Sequence, residues 1–241
     1  MLASFFISDL HLAPERPQIT EIFLSFLHDT AVKAERLYIL GDLFEYWVGD
    51  ETLEEPMPAR VVQALAELSR TGTQIFFMHG NRDFLVGDRF AGAAGLQLLP
   101  DPFTVSLYGT PTLLMHGDTL CTDDIDYLQF RDTVRNPAWQ QEFLAKSLAE
   151  RTRIAQSVRS ESEHAKKTKS MSIMDVSQSA VESTLRQHAY PRLIHGHTHR
   201  PATHEHRVDG HPCTRYVLAD WFQRGSYLAC NSDGCESITV A

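Results

Sequence analysis

The sequence predicts an α/β domain that carries a helical insertion, and three observations lead to it. Apolar runs alternate with helical patterns through residues 2–78. From 124 to about 188 the pattern is helical with no strand candidate. After 204, polar and apolar residues alternate around Asp209-Gly210 and Asp233-Gly234. The first pattern implies parallel pairing with right-handed crossovers, and the last implies antiparallel hairpins. A chain of 241 residues can bury a full core. We therefore read 1–241 as one domain, with the insertion at about 124–170.

The first apolar run, 2–8, predicts a buried strand that leaves through Asp9-Leu10-His11. Ile19, Ile22, Phe23, Phe26 and Leu27 recur at helical spacing within 18–32, and Pro17 suits the first turn. A second strand, 36–40, ends in Gly41-Asp42, and a helix over 59–70 stops at Gly72. A third strand, 74–78, runs into His79-Gly80-Asn81-Arg82-Asp83. Residues 103–107 and 111–115 form a predicted hairpin ending in His116. A helix over 173–188 returns from the insertion to a strand that ends in His195-Gly196-His197-Thr198-His199-Arg200. Hairpin strands are expected at 204–208, 214–218, 226–230 and 236–240.

Composition excludes several classes of protein. The 43% hydrophobic and 22% charged content is ordinary for a globular domain, and a net charge of −9 argues against a whole-surface nucleic-acid binder. No stretch approaches the ~18 apolar residues that span a bilayer. The first residues lack the basic segment of a signal peptide. Cys121, Cys213, Cys230 and Cys235 show no CxxC spacing and are expected to be reduced thiols.

Five apolar runs end abruptly in Asp, Asn or His. In open α/β sheets, ligands bind beyond the carboxyl ends of the strands, so Asp9, His11, Asp42, Asn81, His116, His195 and His197 form a candidate donor set at one sheet edge. His195 and His197 are two apart, which in an extended segment aims both rings the same way. Carboxylate, amide and imidazole donors without thiolate suit Mn²⁺, Fe²⁺ or Zn²⁺ better than Ca²⁺. So many donors exceed the needs of one ion and fit two, about 3.5–4 Å apart, sharing a bridging carboxylate. The plain alternative is that each residue caps a turn, but turn chemistry does not explain the recurrence at five strand ends. His79, His199 and Asp118 are read as supporting residues rather than ligands.

Asp9-x-His11, Gly41-Asp42, Gly80-Asn81-Arg82-Asp83, His116 and Gly196-His197-x-His199 together resemble the calcineurin-like metallophosphoesterases. Phe44-Glu45-x-Trp47, His79 to Leu85, Met115 to Asp124 and Ser172 to Val176 are similar to the branch of that family that hydrolyses UDP-2,3-diacylglucosamine in lipid A biosynthesis. The likeness covers almost the whole chain and is weakest in 137–165 and after 204. It implies a β-sandwich of two mixed sheets flanked by helices, with a helical lid. It also implies two Mn²⁺ per chain, one on Asp9, His11 and His197 and the other on Asn81, His116 and His195, with Asp42 bridging. The implied reaction is attack of a metal-activated water on the α-phosphorus, releasing UMP and 2,3-diacylglucosamine 1-phosphate (lipid X). Asp42, Asn81, Arg82 and His195 would carry the chemistry. Asn81, Arg82, Asp124, Ser162, Lys166, Lys169 and His195 would contact the substrate. The implied location is peripheral, at the cytoplasmic face of the bacterial inner membrane.

One departure stands out. Many family members carry His where this chain has Arg82, and a guanidinium can grip a phosphate but cannot donate its proton to a leaving group. The insertion is also distinctive. Between 146 and 169, Lys146, Arg151, Arg153, Arg159, Lys166, Lys167 and Lys169 face only Glu150, Glu161 and Glu163. Such a basic reversal in an acidic chain suits an anionic phosphate or lipid. Ile125, Leu128, Phe130, Trp139, Phe143, Leu144 and Leu148 could line an acyl groove or form a small core. A soluble nucleotide substrate and a scaffold on a decayed phosphoesterase fold remain the competing readings.

Overall fold

A computed structural model describes residues 3–160 and 175–240 in full and the backbone of 161–168. The strands are β1 (Ser4–Ile7), β2 (Arg36–Leu40), β3 (Gln74–Met78), β4 (Gln97–Leu99), β5 (Phe103–Leu107), β6 (Thr110–Met115), β7 (Arg192–His195), β8 (Ala202–Val208), β9 (His211–Val217), β10 (Ser226–Asn231) and β11 (Gly234–Thr239). The helices are α1 (Pro17–Asp29), α2 (Pro56–Arg70), α3 (Asp88–Ala94), α4 (Ile125–Arg135), α5 (Pro137–Leu144), α6 (Leu148–Thr168) and α7 (Gln178–Gln187).

Two mixed sheets result, ordered β11-β10-β1-β2-β3-β4 and β5-β6-β7-β9-β8. In the first, β1 to β4 pair in parallel and β10 and β11 add antiparallel. In the second, the β5–β6 and β8–β9 hairpins flank parallel β7. Side-chain alternation explains how they stack. Phe6, Tyr38, Leu40 and Met78 from one sheet meet Leu114 and Ile194 from the other in a shared core. Phe5, Ile7, Leu37, Ile39, Ile75 and Phe77 point the opposite way, into a core with Phe23 and Phe26 of α1, Val61 and Leu65 of α2 and Phe90 of α3. Leu113 and Leu193 pack on Val181 and Leu185 of α7. Apart from Ser4 and Arg36 at their starts, β1 and β2 carry only apolar and aromatic residues buried on both faces, which is why they read as unbroken runs. The five apolar runs empty not at one sheet edge but at the adjoining ends of two sheets.

Several expectations change. The α3–β4 segment gives no periodic signal because Gly87, Gly92 and Gly95 interrupt it. Its helix starts on a cap supplied from elsewhere in the chain: Asp50 accepts from the Gly87 and Phe90 amides, both at 3.0 Å. Helix α7 begins at Gln178, not 173; residues 175–177 are non-helical, and 173–174 lie outside the described residues. Cys230 and Cys235 face each other across the β10–β11 ladder and form a disulfide, so two of the four expected free thiols are bonded. Cys121 and Cys213 are buried and form no disulfide.

Candidate metal centre

At the ends of β1 and β2 the chain leaves its strands through left-handed turns, with φ of 57° at Asp9, 50° at His11 and 54° at Asp42. Asp and His tolerate this region better than bulkier residues, and a ladder of amides holds it: Asp9 donates to Gly41 O at 3.1 Å and His11 to Asp42 O at 2.9 Å. The Asp83 carboxylate, fully buried, accepts from the amides of Gly80 (2.9 Å), Asp42 (3.2 Å) and Leu43 (2.7 Å). It ties the β2 loop to the β3 loop and is therefore committed to backbone rather than to Arg82. Gly80 has no alternative at its position, since a Cβ there would sit 2.1 Å from Asp42 Oδ1.

These turns bring together Asp9, His11, Asp42, Asn81, His116 and His197. Asp42 stands at the middle, its Oδ2 3.7 Å from His11 Nε2 and its Oδ1 3.9 Å from His116 Nε2. Asn81 Oδ1 lies 3.0 Å from His116 Nε2 and 2.9 Å from His197 Nδ1. Asp9 Oδ2 accepts from Ser8 Oγ (2.6 Å) and the His197 amide (2.8 Å), leaving Oδ1 toward the cluster.

The histidine run is shifted from the sequence reading. Strand β7 ends at His195, and the chain then turns, with φ of 69° at His197 and 55° at His199. A period of two therefore does not apply beyond His195. His195 points into the body: its Nδ1–H donates to Gly196 O at 2.9 Å and its Nε2 accepts from Arg215 at 3.1 Å. With both ring nitrogens engaged and a guanidinium beside it, His195 has no lone pair for a cation. His199 takes the place beside His11, its Nε2 3.3 Å from His11 Nε2 and 3.4 Å from Asp9 Oδ1. His197 joins Asn81 and His116 instead of Asp9 and His11.

The electrostatics match a cation site. Burial, with the His116 imidazole nearby, pushes His197 down to about 3 against the opposing pull of Asp118 and Asp9. Burial alone would lower His116, but Asp42, Asp118 and Asp9 raise it to about 9. Burial raises Asp42 to about 7, with Asp83 and Asp9 adding to it. Burial also opposes the charge on Asp9, yet His199 beside it and the imidazoles of His116 and His11 hold its pKa below the usual carboxylate range. His116 Nδ1 is spent on Leu40 O at 2.8 Å, which orients the ring. Asp9 Oδ1 and His11 Nδ1 are buried without a hydrogen-bond partner. Among the described residues, Asp9–His11–His199 and Asp9–Asp42–His116 can each hold an ion. These donors and orphaned atoms fit divalent metal.

Helix α4 crosses this centre. Asp118, buried, receives Tyr127 Oη (2.5 Å) and Arg131 Nε (2.7 Å), and Arg135 donates to Gly80 O at 2.8 Å. Asp124 caps α4, accepting from the Tyr127 amide at 3.2 Å. Arg82 places its amide on Asp42 Oδ1 at 2.8 Å, while its Nε is buried without a hydrogen-bond partner. Ser162, Lys166 and Lys169 lie outside the residues whose side chains are described. Of the basic residues in the insertion, Arg151 is buried against Val48 O and Glu51, and Arg159 lies 3.1 Å from Glu45. These two serve internal contacts. Phe143 is buried and Trp139 and Leu148 pack on the main core, whereas Ile125, Phe130 and Leu144 are exposed. The site also recruits His199, Glu45, Tyr127, Arg131 and Arg135. Of these, only His199 and Glu45 sit in motifs singled out for the site.

Residues 4–201 match the calcineurin-like phosphoesterases. The chain belongs to that family. Over 233 residues it is 51% identical to the UDP-2,3-diacylglucosamine hydrolase of Aromatoleum aromaticum, covering 97% of this chain and 95% of the relative. It is 48% identical over 249 residues to the enzyme of that name from Stenotrophomonas maltophilia strain K279a, covering 100% and 99%. The enzyme so named from Xanthomonas axonopodis pv. citri is 49% identical over 247 residues, covering 100% of each. The two mixed sheets flanked by helices are the fold of this family of divalent-metal hydrolases.

Proposed function

We propose that this phosphoesterase hydrolyses the pyrophosphate of UDP-2,3-diacylglucosamine at the α-phosphorus, releasing UMP and 2,3-diacylglucosamine 1-phosphate. The observation that carries the reading is the buried carboxylate–imidazole cluster at the ends of both sheets, in a chain about half identical to enzymes named for that substrate over nearly their full length. Two Mn²⁺ are the proposed occupants, one on Asp9, His11 and His199, the other on Asn81, His116 and His197, with Asp42 between them. Bound there, such a pair acidifies a water and neutralises phosphoryl oxygens.

The chain's own residues do the rest. His11 and His197, held neutral by burial, offer lone pairs without first losing a proton. Arg82, its carboxylate neighbour already committed to backbone amides, is available to grip the pyrophosphate. Because the guanidinium keeps its proton, this site suits a sugar phosphate that leaves without one. Asp124, Ser162, Lys166 and Lys169 are proposed substrate contacts. His195 instead holds the turn in place from behind.

No described helix is long and apolar enough to cross a membrane. We propose peripheral attachment at the cytoplasmic face of the inner membrane, supported by exposed Ile125, Phe130 and Leu144 on the α4 and α5 helices and by the basic insertion. The deciding assay follows UMP release from UDP-2,3-diacylglucosamine with and without Mn²⁺, beside soluble cyclic nucleotides and dinucleotides. Mn²⁺-dependent turnover of the lipid nucleotide is expected. Preference for a soluble diester would overturn the substrate assignment, and Arg82→His with undiminished kcat/KM would remove Arg82 from its role.

A further inference from the structure

Glu45 is a buried carboxylate one residue beyond the β2 loop, and neither the metal cluster nor the core accounts for it. Its amide donates to Leu12 O at 3.0 Å, which places the side chain beside His11. Its Oε2 lies 3.6 Å from His11 Nδ1, the ring nitrogen on the far side from the Nε2 that faces Asp42 and His199. That Nδ1 is buried and has no hydrogen-bond partner. A histidine that gives one nitrogen to a metal is oriented by an acceptor at the other, and Glu45 is the carboxylate recorded there among the described residues.

Two cations hold Glu45, and they come from different parts of the molecule. Arg16, at the start of α1, donates to Oε2 at 2.9 Å and also binds the His11 carbonyl. Arg159, on helix α6 of the insertion, places Nε 3.1 Å from Oε1. The face of the His11 ring is covered by Phe222, stacked at 5.5 Å between centroids, with the Arg16 guanidinium 5.2 Å from the Phe222 ring. Two of the groups around His11, Phe222 and Glu45, both contact Arg16, and Glu45 is reached from the insertion by Arg159.

We propose that Glu45 is a positioning residue that couples the seating of α6 to the orientation of His11, and so to ion capture at Asp9, His11 and His199. This rests on the metal reading above. With α6 seated, Arg159 and Arg16 hold the carboxylate from both sides and keep it at His11 Nδ1. With α6 lifted, Arg16 alone directs it and the carboxylate beside His11 Nδ1 is no longer fixed from both sides. Coupling of this kind is reciprocal: an ion that needs His11 oriented must also slow the opening of α6.

The test is a Mn²⁺ titration by calorimetry of the full chain, Glu45→Gln, Arg159→Gln and the double variant. Hydrogen exchange of 148–160 is recorded with and without Mn²⁺ on the same proteins. Glu45→Gln should weaken Mn²⁺ about 10–100-fold, and Arg159→Gln about 5-fold or more. The double variant should be no worse than Glu45→Gln, because both changes cut the same link. Mn²⁺ should slow exchange in 148–160 of the unaltered chain and not in Glu45→Gln. A merely structural Glu45 would lower the Tm and leave Mn²⁺ affinity alone, which overturns the proposal. Arg159 is half-buried, more exposed than Glu45, so its variant tests the link even if Glu45→Gln folds poorly. Unaltered chain that binds Mn²⁺, with variants that bind as tightly, removes the coupling and leaves the metal reading standing. Unaltered chain that takes up no Mn²⁺ removes both.

Discussion

The metal centre and the insertion that crosses it are held by different physics. The centre is a lattice of backbone amides and buried side chains: Asp83 gathers four loop amides, and Gly80 and Gly196 allow backbone to touch carboxylates. The insertion is anchored by a few long side chains, Tyr127 and Arg131 on Asp118, Arg135 on Gly80 O, Arg151 on Val48 O and Arg159 on Glu45. A lattice of short bonds fixes donors closely, as a metal site needs. A set of long, charged tethers can release and re-form, as a cover over an entering substrate needs.

Replacing a cluster donor should produce the largest effect. His199→Ala should weaken Mn²⁺ binding and reduce kcat/KM by about 100-fold or more, beyond the usual cost of losing a supporting group. His195→Ala should instead lower stability while leaving Mn²⁺ binding closer to normal. Calorimetry and thermal unfolding on both variants separate a donor from a brace, and the opposite ranking would restore His195 to the metal set.

Asp83→Ala strips the amide lattice of its shared acceptor and leaves buried N–H groups unpaired. A loss of about 3 kcal/mol is expected, read from urea denaturation of the metal-free protein. A variant as stable as the parent would show that the loops hold without it.

pH sharpens the same contrast. Without metal, His116 is raised to about 9 and Asp42 to about 7, so both carry protons that an ion must displace as pH falls. Mn²⁺ affinity should therefore fall as pH drops below about 9 and fall more steeply below about 7, by about tenfold per unit for each proton displaced. The α6 tethers Arg151–Glu51 and Arg159–Glu45 are carboxylate–guanidinium pairs, and hydrogen exchange of α6 in metal-free protein should change little over that range once corrected for intrinsic rates.

Smaller effects belong to the insertion. Arg151→Ala leaves the Val48 carbonyl without its donor and should cost about 1–2 kcal/mol, seen as faster exchange in α6. Replacing Ile125 and Phe130, 64% and 40% exposed, by Ser should change stability by no more than about 0.5 kcal/mol. Partition onto anionic vesicles should nevertheless drop. Unchanged partition would remove these residues from the proposed membrane contact.

Much of the architecture was legible because strands buried on both faces and amphipathic helices leave local patterns. The 36–40 and 74–78 strands and the 103–115 hairpin appear where their apolar runs place them. Helix α3 was not legible because Asp50, far away in sequence, supplies its cap. The disulfide was missed because Cys230 and Cys235 carry no CxxC spacing, and their pairing depends on the β10–β11 register. At the centre, Asp, Asn and His after apolar runs mark the place, but the period of two ends with β7 at His195, and the left-handed turns at His197 and His199 aim those rings in ways no local pattern shows.

By itself, the sequence determined most of the elements, α3 and β4 excepted, and which kinds of donor leave their ends, since burial and periodicity are properties of neighbouring residues. Only the tertiary structure decided which histidines join the buried carboxylates, that two sheets rather than one supply them, and that the insertion reaches Glu45 beside His11. Those outcomes depend on left-handed turns and on contacts between segments far apart in the chain, where backbone geometry, not local pattern, aims each side chain.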